Sequence, residues 1–244
     1  QLAEQIRGAV FAASKDYAGS IAAFRRAYDV APSKVQPMVT LVRSYLLAGK
    51  TGEAMDFLGS VIQASPDNVT ALLLLGELQA ANGNNTEAAQ RFEQVISLQP
   101  QNTAGYTNLA NLRMREGHTD AAEQVVGRGL LAVPGNFDLL MAQASIYEVS
   151  SRFEEAITAY EALLKKYPGS DVVVNNLASL LSEHRTDQAS LLRAYEMTQR
   201  FSRSDAPYFK DTLGWASYRL GKVEEALPLI ESAVRQQPEQ PVFR

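Results

Sequence analysis

The sequence contains no cysteine among its 244 residues. Disulfide staples, cysteine-ligated zinc and thiol nucleophiles are therefore excluded. Histidine is almost as scarce: His118 and His184 stand alone, and neither belongs to a histidine pair or a Glu-x-x-His pattern that would hold a metal. No apolar run approaches the ~18 residues needed to span a bilayer; even the stretch Ala71 to Leu75 is short. No basic block of the ~5–6 residues that marks a nucleic-acid-binding arm occurs, and the formal net charge is −4. Both points argue against nucleic acid as a partner. What remains is globular composition, 46% hydrophobic and 20% charged, too apolar for disorder. The chain opens on Gln1 and reads as a piece of a longer protein, so a missing targeting signal carries no information.

Proline placement gives the organisation. Pro32, Pro66, Pro100, Pro134 and Pro168 lie 34 residues apart, and Pro238 follows after two further periods and two extra residues. Proline lacks an N–H and clashes with the preceding turn, so the grid marks the ends of equivalent helices. Gly49, Gly83, Gly117, Ser151 and Gly221 recur about half a period before each proline, where a left-handed residue would close a helix. Ala54, Ala88, Ala122, Ala156 and Ala226 follow five residues later, small enough for two helices to approach closely. Each period thus reads as helix, tight turn, helix, proline turn. Leu72, Leu74, Leu75 and Leu78 in one helix, and Ala88, Phe92, Val95 and Ile96 in the next, form apolar stripes that neither helix can bury alone. Stacked neighbours bury them as a continuous core.

This pattern resembles the tetratricopeptide repeat. Leu75-Gly76, Gly83, Ala88, Phe92 and Pro100 carry the best single match, and Leu213-Gly214, Gly221, Ala226 and Pro238 the next. The resemblance implies an all-α, right-handed superhelical solenoid of about seven helix-turn-helix repeats in one array. Their bounds are 1–34, 35–68, 69–102, 103–136, 137–170, 171–206 and 207–240, with a truncated further repeat at 241–244. The sixth repeat is longer and weakly punctuated around Ser182 to Gln188, with a second helix expected from Gln188 to Phe201. Pro228 is expected in the first turn of the last helix, where a missing N–H costs little.

No motif supports catalysis. Gly49-Lys50-Thr51 ends like a phosphate loop but follows a helix and has Ser44 where a glycine is required. Glu154-Glu155 and Glu224-Glu225 are paired carboxylates at helix starts, where the helix dipole favours them. The histidines read as solvated. Asn68-Val69-Thr70 and Asn84-Asn85-Thr86 match the glycosylation pattern, which matters only in a eukaryotic secreted protein. Neither a cofactor nor a metal is expected, and the chain reads as a non-enzyme.

In tetratricopeptide arrays the first helix of each repeat lines a concave groove. Carried onto this chain, the resemblance places Arg43, Glu77, Thr107, Asn111 and Arg115 there, then Asp138, Met141 and Glu148. From the last two repeats come Asn175 and Ser179 with Asn176 beside them, and Tyr208, Asp211, Trp215, Tyr218 and Arg219. Tyr208, Asp211, Trp215 and Tyr218 share one helical face, with Leu213, Gly214, Ser217 and Leu220 on the packing side. The lysine-bearing carboxylate clamp of chaperone-binding members is missing, because the fifth positions are Val39, Leu73, Thr107, Met141, Asn175 and Asp211.

The runs Asn175-Asn176-Leu177-Ala178, Asp211-Thr212-Leu213-Gly214-Trp215 and Ala226-Leu227-Pro228-Leu229 resemble the end of large bacterial tetratricopeptide proteins. They are similar to the lipoprotein found with the PEP-CTERM/exosortase sorting system and exopolysaccharide clusters. That resemblance implies a protein-interaction scaffold of the bacterial periplasm or cell envelope, lipid-anchored through a segment outside this chain, holding a protein or peptide segment in its groove. Two alternatives stay open: a module binding carbohydrate polymer on platforms such as Trp215 and Tyr218, and a cytosolic regulatory adaptor.

Overall fold

The computed structural model describes residues 1–237 and 239. Pro238, the last proline of the grid, and the expected truncated repeat at 241–244 lie outside the described residues. Among the described residues the fold is all-α, with fourteen α-helices, one short 3-10 turn and no strand.

The chain divides into two compact units. The first, Gln1–Pro134, holds α1 (Leu2–Ala13), α2 (Tyr17–Val30), α3 (Val35–Leu47), α4 (Thr51–Ala64), α5 (Val69–Ala81), α6 (Asn85–Leu98), α7 (Thr103–Arg115) and α8 (Thr119–Ala132). They pair as successive hairpins, and the second helix of each packs on the first helix of the next. Phe24, Met38, Leu41, Phe57, Leu58 and Leu75 anchor one buried cluster here.

The second unit, Gly135–Arg244, holds α9 (Phe137–Val149), α10 (Phe153–Lys166), α11 (Asp171–His184), α12 (Gln188–Thr198), α13 (Pro207–Arg219) and α14 (Val223–Gln236). A 3-10 turn, Gln199–Phe201, extends α12, so the helical path ends at the expected Phe201. Tyr160, Leu163, Leu177 and Leu181 lead its core. Here α11 packs on both α10 and α13.

The repeat residues act as their chemistry requires. Gly49, Gly83, Gly117 and Gly221 have φ between 72° and 82°, and Ser151 has φ 58°. Each is followed by an amide that reaches back to close the first helix, as Lys50 N–H does to Tyr45 C=O (2.9 Å) and Arg152 N–H to Tyr147 C=O (2.8 Å). Lys15 (φ 62°) does the same work in the first hairpin without a glycine. Past each proline turn, Asn68, Asn102, Asn136 and Ser170 cap the next helix with their side chains. The glycosylation-like Asn68 is one of these caps: its Oδ1 accepts from Ala71 N–H at 3.0 Å.

Two expectations are corrected. Pro228 is the sixth residue of α14, not part of its first turn, because the helix starts at Val223 after Lys222. It therefore removes a bond that would have reached the Glu224 carbonyl. His184 is not simply solvated; its ring stacks on Phe153, with centroids 3.5 Å apart and planes inclined by 13°.

Candidate functional site

The small residues on the packing side of each first helix leave the opposite side free. A Cβ on Gly76 would lie 2.7 Å from the Phe92 ring, and one on Gly214 would lie 2.7 Å from Ile230. Leu213, Gly214 and Ser217 are buried. Helix packing thus consumes one side of α13 and leaves Tyr208, Trp215 and Tyr218 at 49%, 37% and 50% exposure. The Trp215 and Tyr218 rings stack at 5.4 Å with a 27° inclination. Together they present an aromatic surface with polar tips, the combination favoured at binding sites.

The neighbouring helices add polar groups. On α11, Ser179 donates to Glu183 Oε1 at 2.8 Å. Asn175 approaches Asn176 only at 3.5 Å through its amide, while its Oδ1 is shielded from water and has no partner. Burial and the Glu183 charge push the Asp211 carboxyl up to about 6. On α9, burial holds Glu148 above the usual carboxylate range, and Glu183 adds to the rise. Three carboxylates, one from each first helix of this unit, therefore sense one another through Glu183.

Asp211 gives a direct prediction. Its folded-state value lies above the ordinary 3.8, so the folded form holds the proton more tightly, and stability declines as pH rises from about 4 to about 6 and stays reduced above. The rise corresponds to at most about 3 kcal/mol; Asp211 still sees solvent, which brings the expected effect to about 1–2 kcal/mol. Asp211→Asn should raise the melting temperature at about pH 7.5 and lose that advantage below about pH 4. A lower melting temperature at neutral pH would refute the assignment.

Two of the expected groove residues have other employment. Asn176 donates through Nδ2 to the Tyr160 hydroxyl at 3.1 Å, and that hydroxyl donates to Glu148 Oε2 at 3.3 Å. Arg219 donates to the Ser182 carbonyl and, at 3.0 Å, to the Arg185 carbonyl. The turn after α11 has no left-handed residue, since Arg185 is extended (φ −109°, ψ 147°). Arg219 satisfies the helix-end carbonyls that a turn glycine serves elsewhere.

In the first unit, Arg43 of α3, Glu77 of α5, and Asn111 and Arg115 of α7 are all exposed. Glu77 accepts from Asn108 of α7 at 2.9 Å, so α5 and α7 share a polar edge. Thr107 turns back onto the Thr103 carbonyl. The loop resembling a phosphate site is a hairpin turn with Lys50 paired to Glu53 at 2.7 Å. Glu154 and Glu155 pair with Arg185 and Arg152. Among the described residues, no group of three metal-ligating side chains forms and no helix is long and apolar enough to cross a membrane.

Comparisons agree with this architecture. The profile of the cytochrome c-type biogenesis protein H TPR domain matches residues 58–174, a little under half of the chain. Anaphase-promoting complex subunit 7 of Arabidopsis thaliana is 26% identical over 159 residues, 65% of this chain and 28% of that protein. The chain spans less than half the length of the curated relatives it matches. Among solved structures, a tetratricopeptide repeat protein from Parabacteroides merdae superposes with a TM-score of 0.67 at 14% identity, covering 98% of this chain and 94% of that one. YrrB, described as a TPR protein with an unusual peptide-binding site, gives 0.54 at 12% identity over 76% of this chain and 95% of its own. Tetratricopeptide proteins are generally non-catalytic, and their fold suggests a protein-interaction scaffold. The 34-residue grid, the capped hairpins and these likenesses together support a tetratricopeptide-repeat architecture for the chain.

Proposed function

We propose that this chain is a non-catalytic scaffold of a bacterial cell envelope, serving export or sorting of a surface polymer or protein, and that the first-helix face of its second unit holds a segment of partner polypeptide. The observation that carries the binding role is the Trp215–Tyr218 stack, exposed on α13 while Leu213, Gly214 and Ser217 do the packing. The envelope role is supported by the likeness of the Asn175–Ala178, Asp211–Trp215 and Ala226–Leu229 runs to bacterial envelope repeat proteins. In this reading the protein sits in the periplasm or on the envelope, held by a lipid.

The test combines fractionation with variants. Cross-linking of the full-length protein in its own cell should capture a polypeptide partner in the envelope fraction. Trp215→Ala and Tyr218→Ala should weaken that partner's binding at least about tenfold with melting curves little changed. Normal binding by both variants, or unfolding of the second unit by Trp215→Ala, would make the stripe structural. Recovery only from the cytosol would favour the regulatory adaptor, and retention by polysaccharide in place of protein would favour the glycan module.

A further inference from the structure

The α11–α13 face has a one-sided chemistry. Asp211 and Glu183 are carboxylates, the Asn175 Oδ1 is a shielded acceptor without a partner, and Ser179 spends its proton on Glu183. The two charged groups of this face, Asp211 and Glu183, are both acceptors. The cations close by are committed elsewhere. Arg219 serves the carbonyls of Ser182 in α11 and Arg185 just beyond it, and Arg185 pairs with Glu154. His184 lies on Phe153 with its Nε2 3.7 Å from Glu183. Among the described residues no lysine or arginine pairs with Asp211 or Glu183.

The aromatic rings of the second unit sharpen the point. Tyr147 carries Arg152 over its face at 4.4 Å, Tyr167 carries Lys166 at 5.3 Å and Tyr195 carries Lys222 at 3.9 Å. The chain covers these tyrosines with its own cations. Trp215, whose indole is the strongest cation acceptor of the aromatic side chains, has none over it among the described residues, although acidic groups lie on its own face of α13 and on α11. The first unit shows no such bias, because Arg43 and Arg115 stand on its exposed first-helix positions.

Resting on the scaffold reading above, we propose that this face takes a basic stretch of polypeptide, with an arginine or lysine side chain lying across the Trp215–Tyr218 stack and its charge met by Asp211 and Glu183. An ion pair formed against an aromatic wall is partly desolvated, which strengthens both the charge pairing and the cation–π contact. The carboxylates that meet no lysine or arginine among the described residues are the counterpart of that charge, and so define what the surface selects.

Trp215 is the chain's sole tryptophan, so its emission reports the event directly. The probe is a short arginine-rich peptide, titrated into the protein while Trp215 fluorescence is followed. Two matched peptides carry citrulline or glutamate in place of arginine. The arginine peptide should change the emission and bind at least about tenfold more tightly than the citrulline peptide, with affinity falling as salt is added. Asp211→Asn combined with Glu183→Gln should remove at least about tenfold of that affinity while the helical circular-dichroism signal is kept. The assignment is overturned by no response to the arginine peptide, by equal affinity for citrulline or glutamate peptides, or by an unchanged affinity in the double variant. If the arginine peptide fails while a cellular partner still depends on Trp215 and Tyr218, the scaffold reading stands and only the basic-segment assignment falls.

Discussion

Phe92→Ala is expected to cost about 3–5 kcal/mol in the first unit. The ring is 1% exposed and lies against Gly76, where a Cβ would come within 2.7 Å of it. The glycine on α5 and the aromatic on α6 are complementary halves of one contact, so removing the ring leaves a space beside Gly76. The loss then combines the lost transfer of the ring from water with the cavity left behind. Repeat contacts are nearest-neighbour, and α5 and α6 pack on each other, on α4 and on α7. Hydrogen exchange should therefore show protection lost over α4 to α7, with α9 to α14 close to unchanged. Equal loss along the whole chain would contradict a modular core, and a cost below about 1 kcal/mol would mean the Gly76–Phe92 contact is not a packing anchor.

The elements legible in the sequence were those governed by local backbone chemistry. A residue that must adopt positive φ announces itself by type, and Gly49, Gly83, Gly117 and Gly221 did. Ser151 and Lys15 adopt the same conformation without a glycine. Ser151 falls on the 34-residue grid, and so does Lys15, 34 residues before Gly49. The first-turn expectation for Pro228 fails because α14 starts at Val223, directly after Lys222, one or two residues before the Glu224-Glu225 pair suggests. Part of the exposed column is legible for a similar reason: Arg43, Glu77 and Asn111 keep the 34-residue register, Ser179 stands on it half-buried, and Trp215 follows it after the two-residue insertion of the sixth repeat.

Side-chain partners were not legible, because they depend on rotamers and on helices far away in sequence. Arg219 reads as a groove residue by position, yet reaches carbonyls more than 30 residues upstream. A signal for it existed. The sixth hairpin lacks a left-handed turn residue, so the end of α11 had to find donors elsewhere. Asn176 reads as a ligand contact beside Asn175, and only the position of Tyr160 shows that its amide is taken. The acidic coupling of Glu148, Glu183 and Asp211 likewise appears only when α9, α11 and α13 are brought together.

Tyr160→Ala should be the most damaging single change in the second unit, at about 3–5 kcal/mol, and Tyr160→Phe should separate its two roles. The side chain is 0% exposed, among Ala156, Leu163, Leu177 and their neighbours. Its hydroxyl accepts from Asn176 and donates to Glu148, which ties α9, α10 and α11 together at one atom. Burial and the nearby Glu148 charge push the phenol well above its usual range, so it is a protonated donor at neutral pH. Phenylalanine keeps the ring and the packing but leaves the Asn176 amide without its acceptor, for an expected cost of about 1–2 kcal/mol. It also withdraws the one hydrogen bond that lowers Glu148 against its burial, so the Glu148 titration followed by NMR should move further upward. Equal costs for the alanine and phenylalanine variants would mean that the hydroxyl network, not the packed ring, holds this unit together. An unmoved Glu148 titration in Tyr160→Phe would show that the hydroxyl does not reach the carboxylate in solution.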